Sequence, residues 1–256
     1  MGLWEALAIL AAGVGAGAIN AVVGSGTLLT FPVLLALGYP PVTATISNSV
    51  GLAPGALSGA LGYRRELAGQ RPRLLRLGAM SALGAVTGGT LLLVLPATVF
   101  MAVVPALIVG ACLLIVFQPR LQGWVRSRRP SSSNGGRLLP LGIYGAGTYG
   151  GYFAAAQGIV LLGLLGTALD EDLQRVNALK NALTFVVNAT AAVFYIVLAS
   201  PVWSVVALIA LGSIAGGYLG ARFGRRLRPE VLRLLVVVIG LTAAGQLIVD
   251  LLTGTG

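Results

Sequence analysis

A lysine set among amide side chains within an apolar run is the first feature of this sequence that could do chemistry. Lys180 lies eight positions after Asp172, and a helix rising ~1.5 Å per residue carries it ~12 Å into that run. At such a depth in a bilayer a lysine costs ~2.5–3.5 kcal/mol on insertion scales and normally faces a partner or a cavity. Asn177, Asn181 and Asn188 recur at spacings of four and seven, with Thr184 three beyond Asn181. They form one polar stripe, and Lys180 stands at its edge. The matching run earlier in the chain holds Thr43, Thr45, Ser47, Asn48 and Ser49, without a charge. One cation with many neutral donors suits a small oxyanion. Two plainer readings remain open: Lys180 snorkels, or it pairs with Asp170.

Two glycine-rich segments could supply more donors. The first breaks around Asn20-Ala21-Val22-Val23-Gly24-Ser25-Gly26-Thr27, ahead of Phe31-Pro32; the second offers Gly150-Gly151-Tyr152-Phe153 and Gln157-Gly158. A half-helix that restarts after such a break aims its positive N-terminal end and unpaired N–H groups at whatever sits there. The candidate substrate-binding set is therefore Asn20, Gly24, Ser25, Gly26, Thr27, Ser47, Asn48, Tyr152, Gln157, Lys180, Asn181 and Asn188. The alternative is that the glycines only let helices pack closely.

Other chemistries are poorly served. The seven carboxylates, Glu5, Glu66, Asp170, Glu171, Asp172, Glu230 and Asp250, all fall at the ends of apolar runs. A hydrolase or metal-dependent transferase needs clustered acids, bases or ligands within reach of substrate. Histidine is absent and Cys112 is the single cysteine, a small packing residue in an apolar run. No cofactor or metal is expected, and an enzyme ranks behind a transporter.

The elements that must position these residues are membrane helices. Hydrophobic residues make up 57% of the 256, and only 9% are charged, too few to cover a soluble surface. Apolar stretches such as Leu74–Leu95, Val99–Phe117, Val202–Ala221 and Val231–Leu252 each approach the ~20 residues of a span. The net charge of +10 does not point to nucleic acid, because fifteen of the seventeen basic residues fall in three short loops, around Arg71, Arg126 and Arg226. Short arginine-rich loops lie on the cytoplasmic side.

Residues 119–137, with Pro130, Ser131–Ser133 and Asn134, read as a cytoplasmic linker between a first repeat (1–118) and a second (138–256). Each half has a glycine-rich segment, a polar-dotted helix and two plain apolar helices. Gly15-Ala16-Gly17 is echoed by Gly145-Ala146-Gly147, and Thr45-Ile46-Ser47-Asn48 by Ala178-Leu179-Lys180-Asn181.

Three apolar segments separate the second and third basic loops, so one of them must fail to cross. Leu138–Gly166, with eight glycines from Gly142 onward, is the candidate for a re-entrant hairpin. Backbone of that kind is tolerated at membrane depth only where it is buried or lines a cavity. The same logic applied to Leu3–Leu37 gives a hairpin from the outer side and an inverted repeat, with Trp4 and Trp203 at outer interfaces and Tyr63 and Tyr218 at inner ones. Eight plain crossings are the alternative. The expected fold class is thus all-α: a polytopic membrane protein of about eight hydrophobic segments.

Over nearly its whole length the chain resembles the sulfite exporter TauE/SafE family of small-anion permeases. The resemblance is carried by Gly24-Ser25-Gly26, Pro32, Leu34-Leu35 and Pro41 through Ser47. In the second half it is carried by Asn177-Ala178-Leu179-Lys180-Asn181, Asn188, Phe194 and Val202-Trp203. Ser25 interrupts the fuller glycine run usual in the family. The resemblance implies movement of sulfite, sulfonates or related sulfur anions, usually outward across the bacterial inner membrane. Partners are then the anion and membrane lipid, with a homo-oligomer as open as a monomer. Uptake is the first alternative and a non-transporting scaffold a later one.

Overall fold

The computed structural model describes residues 1–127, 136–223 and 229–253. Those residues form ten helices and no strand. In chain order they are α1 (Leu3–Val22), α2 (Thr27–Ala36), α3 (Pro41–Gly62), α4 (Arg71–Val94), α5 (Ala97–Ser127), α6 (Leu139–Tyr152), α7 (Gln157–Ala168), α8 (Leu173–Leu198), α9 (Trp203–Phe223) and α10 (Pro229–Thr253). Helices α1, α4, α5, α8 and α9 are long and apolar enough to cross a bilayer, and α2, α7 and Val236–Val249 of α10 are shorter apolar helices. The chain is an all-α polytopic membrane protein. Helix α5 continues to Ser127, so the first part of the segment read as a linker is helical. Residues 128–135 of that segment, and 224–228 of the third basic loop, lie outside the described residues.

Each glycine-rich segment is a helix, a break and a second helix folded back on the first. The first break is set by Gly24, whose φ is +89°, a conformation that costs other L-residues ~1–2 kcal/mol. Past it, Gly26 lies against Ala16 and Asn20, and Gly15 against Leu29, so α2 returns along α1. The second break needs no glycine at its turn: Ala154 (φ 63°) and Ala156 (φ 56°) take the left-handed conformation. Beyond it, Gln157 packs on Gly150 and Leu164 on Gly142.

Helix directions follow from residue pairs. Gly13 and Gly17 of α1 meet Gly212 and Gly217 of α9, and Gly51 and Gly62 of α3 meet Ile209 and Ala221, so α1, α3 and α9 run parallel. Gly84 and Gly88 of α4 meet Thr148 and Tyr152 of α6, and Gly78 and Gly89 meet Val186 and Phe194 of α8, so α4, α6 and α8 run parallel too. The two sets are opposed. Tyr63 at the end of α3 packs on Ala178 near the start of α8, and Ser47 near the start of α3 bonds Val202 just past the end of α8.

These seams are built from small residues. A Cβ on Gly212 would sit 2.5 Å from the Leu10 carbonyl oxygen, and one on Gly147 2.6 Å from that of Ser81. For most of the glycines within α1, α4, α6 and α9 the close-packing reading therefore holds. The pairings also exchange in an orderly way. As α1 packs on α9, so α6 packs on α4; as α3 on α9, so α8 on α4; as α2 on α10, so α7 on α5.

The acidic turn before α8 is fastened to the first basic loop. Arg73 Nη1 lies 2.9 Å from Glu171 Oε1, and Arg175 Nε lies 2.6 Å from Glu171 Oε2. Gln70 Nε2 donates to the Arg175 carbonyl at 3.2 Å. Partial burial alone would raise the Glu171 carboxyl, but hydrogen bonds from Arg73 and Arg175, and their charges, hold it below the ordinary carboxylate value. Residues 170–172 thus sit at the same end of the bundle as Arg71 and Arg73. Eight uninterrupted crossings would have put them at the opposite end. One interface residue behaves differently from the expectation: Tyr63 is buried against Ala178 and Ala221, whereas Tyr218, Trp4 and Trp203 are exposed.

Candidate functional site

The two breaks meet. Gly158 N–H, in the first turn of α7, donates to the Gly24 carbonyl at 3.0 Å. Neither residue can carry a side chain there, since a Cβ on Gly24 would fall 2.6 Å from Gly158 Cα and one on Gly158 would fall 2.5 Å from Gly24 Cα. On either side of this contact stand Ser25 and Gln157, both fully buried. Ser25 Oγ and Gln157 Nε2 have no hydrogen-bond partner among the described residues, and neither has Thr184 Oγ1 on α8. A buried polar group left unpaired costs about 1–3 kcal/mol, so two of them flanking the tip contact mark a place built for something other than self-packing.

Lys180 and Asn181 approach the first break from α8. Lys180 Nζ donates to the Ala21 carbonyl at 3.4 Å and Asn181 Nδ2 donates to the same oxygen at 3.3 Å. Ala21 is in the last turn of α1, where carbonyls lack intrahelical partners and the helix dipole is negative. Lys180 is 1% exposed, and the Ala21 bond uses one of its three donors. The pairing with Asp170 does not form: Asp170 is exposed, and the described ion pairs of this turn are those of Glu171 with Arg73 and Arg175.

From the other half, Asn48 on α3 organises the start of α2. Its Nδ2 donates to Thr27 Oγ1 at 3.3 Å, and its Oδ1 accepts from Thr30 Oγ1. Asn20 is half-buried against Gly26. Tyr152 closes α6 and packs its ring on Phe100, 5.5 Å between centroids. Asn188 is buried two turns further along the Lys180 helix. Ser47 turns elsewhere: its Oγ accepts from Val202 N–H at 3.0 Å and fastens α3 to the turn between α8 and α9.

Several residues of the region were not singled out from the sequence. Gln118 of α5, 1% exposed, donates from Nε2 to the Val23 carbonyl at 3.4 Å, and Arg233 Nε donates to Gln118 Oε1 at 3.1 Å. Tyr195 and Tyr149 hydroxyls donate to the Gly151 and Ala155 carbonyls at the second break. No spacing rule links Gln118 or Arg233 to residue 23, since they lie 95 or more positions away.

The region is rich in donors and poor in acids. Lys180, Asn181, Asn48, Ser25 and Gln157 all carry side-chain hydrogens to offer. Each described carboxylate lies on a helix end or turn, and no group of three His, Cys, Asp or Glu among the described residues could hold a metal.

A polytopic bundle with a buried, donor-lined meeting of two helix breaks defines a membrane transporter. The profile of the sulfite exporter TauE/SafE family matches residues 9–247, and the chain belongs to that family. It is 28% identical over 247 residues to a probable membrane transporter protein of Haemophilus influenzae, covering 96% of both chains. A probable membrane transporter protein of Sinorhizobium, ORF9, is 28% identical over 92% of this chain and 89% of its own. The Escherichia coli K12 probable membrane transporter protein YfcA is 24% identical over 92% and 86%. No solved structure matches significantly. The chain is a multi-pass transporter of the bacterial inner membrane and not an enzyme.

Proposed function

We propose that the protein exports a small sulfur-containing anion, sulfite or an organosulfonate, through the meeting point of the two breaks. One observation carries the reading: Ser25 and Gln157 flank the Gly24–Gly158 contact with unpaired buried polar groups, beside Lys180, one cation without a described carboxylate partner. A desolvated oxyanion needs several hydrogen-bond donors and a compensating charge. The family to which the chain belongs supplies the substrate class.

In this proposal residues 1–118 and 138–256 are inverted repeats, and the exchange of packing partners between them supports it. The arginine-rich end faces the cytoplasm by the charge rule. With the interior negative, each negative charge moved outward gains ~2.3 kcal/mol per 100 mV, so export needs no coupling ion. The absence of histidine from the sequence fits that economy. Purified protein in proteoliposomes loaded with labelled sulfite, taurine-like sulfonates, sulfate or phosphate tests the proposal. Sulfite or sulfonate efflux that rises with an inside-negative potential is expected. Protein that moves none of these anions contradicts it.

A further inference from the structure

We propose that the cleft between the cytoplasmic ends of α3 and α9 is a binding site for an anionic phospholipid. The cleft encloses about 620 Å³ and is lined by Gly62, Arg64, Arg65, Glu66, Tyr218 and Arg222, together with Ala221. Three guanidinium groups face one carboxylate there, so the lining is net cationic. Arg222 Nη1 donates to Tyr218 Oη at 2.6 Å, and its guanidinium lies 5.8 Å from the centre of that ring, which fixes one cation at the rim.

The chemistry below the arginines selects a lipid over a free anion. Helices α3 and α9 run side by side in the same direction, held by Ser58 Oγ donating to the Ile214 carbonyl at 3.1 Å and by contact of Gly62 with Ala221. Leu57 and Leu61 on α3 lead up to Arg64, and Leu211 and Ile214 on α9 lead through Tyr218 to Arg222. All four of these aliphatic side chains are exposed. Each stripe follows helical spacing of three and four, so it presents one continuous face. Two apolar stripes ending in a shared cationic cleft match the shape of a phospholipid, with acyl chains along the stripes and the phosphate between the arginines. Basic pockets on the cytoplasmic side of membrane helices hold anionic headgroups in this way. The site rests on the orientation of the basic end and not on any step of transport.

Lipid retention by the full-length protein in detergent, read by native mass spectrometry and by thermal melting with added lipid, tests the site. Phosphatidylglycerol and cardiolipin should be retained and should raise the melting temperature, whereas phosphatidylcholine and soluble glycerophosphate should do neither. Arg64→Gln with Arg65→Gln should weaken retention by about 30-fold, at about fivefold per cation near a membrane surface. Both residues are exposed, so the variant should fold normally, and Arg64→Lys with Arg65→Lys should keep most of the binding. Arg71→Gln with Arg137→Gln removes two exposed charges elsewhere and should leave retention unchanged. Equal loss in that control, unaltered retention in the Arg64/Arg65 variant, or stabilisation by soluble glycerophosphate as strong as by lipid would each overturn the proposal.

Discussion

At the scale of single residues, Lys180 and the two tip glycines decide whether the breaks form a site. Lys180 shares the Ala21 carbonyl with Asn181 and has no described acidic partner. Lys180→Met keeps the length of the side chain and removes the charge. Substrate affinity, measured by equilibrium binding, should fall about 10- to 100-fold, the worth of one charge-assisted hydrogen bond. Asp170→Asn should leave affinity unchanged; equal damage from both would restore the pairing that the structure lacks. Gly158→Ala forces a Cβ to within 2.5 Å of Gly24 Cα, and Gly24→Val adds a branched side chain at a φ of +89°. Both variants should reach the membrane, with Gly24→Val destabilised by at least ~1–2 kcal/mol and both unable to transport. Full transport by either would reduce the tip contact to packing. Much of this residue set is legible in the sequence, because a lysine and three asparagines at helical spacing stand out in an apolar run. The Ala21 carbonyl is not, since a main-chain acceptor leaves no mark in side-chain identity. Ser47 misleads because its hydroxyl is spent on the α8–α9 turn.

At the scale of elements, the first break is announced by Gly24 and Gly26, whereas the turn of the second is made by Ala154 and Ala156 in left-handed conformation. Alanine rarely adopts that conformation, so surrounding packing, and not local preference, sets it. Helix α5 carries Pro119 and still runs to Ser127. Proline lacks one N–H, and neighbouring helices can satisfy the freed carbonyl in a membrane bundle, so Pro119 does not end α5. The Arg73–Glu171–Arg175 clamp joins the α3–α4 loop to the turn ahead of α8 and carries a prediction about pH. The folded carboxyl is held below its ordinary value, so the clamp's stabilisation is present above the ordinary carboxylate range and is lost as pH falls through the lowered folded value. Melting of the wild type and of Glu171→Gln should differ by a constant amount near neutral pH and converge in acid. A difference that does not change with pH would mean that the ion pairs contribute nothing and the substitution acts through packing.

At the scale of the whole molecule, charge parity and packing agree. Three arginine-rich loops and one excess apolar segment lead to the expectation of a re-entrant hairpin, and Glu171 bonded to Arg73 sets the end of the α6–α7 hairpin beside the first basic loop. The all-helical polytopic fold was legible from the long apolar runs and the few charges between them, while the meeting of the tips was not, because it joins residues 24 and 158 through backbone atoms alone. The bundle also divides unevenly. Helices α1, α3, α4, α6, α8 and α9 interlock through small-residue seams, whereas α5 and α10 pack on each other and on the short arms α2 and α7. Lys180 belongs to the first group, and Gln118, which bonds the Val23 carbonyl, to the second, so the candidate site lies where the two groups touch. In the proposed function an anion crosses there, carrying its charge with it. Capacitive current from proteoliposomes on a solid-supported membrane, recorded on rapid addition of sulfite or an organosulfonate, tests it most directly. The wild type should give a saturable, anion-dependent current that is lost in Lys180→Met at equal protein density. A wild type without such a current, or a Lys180→Met variant whose current matches the wild type's, would mean that no anion crosses at this site.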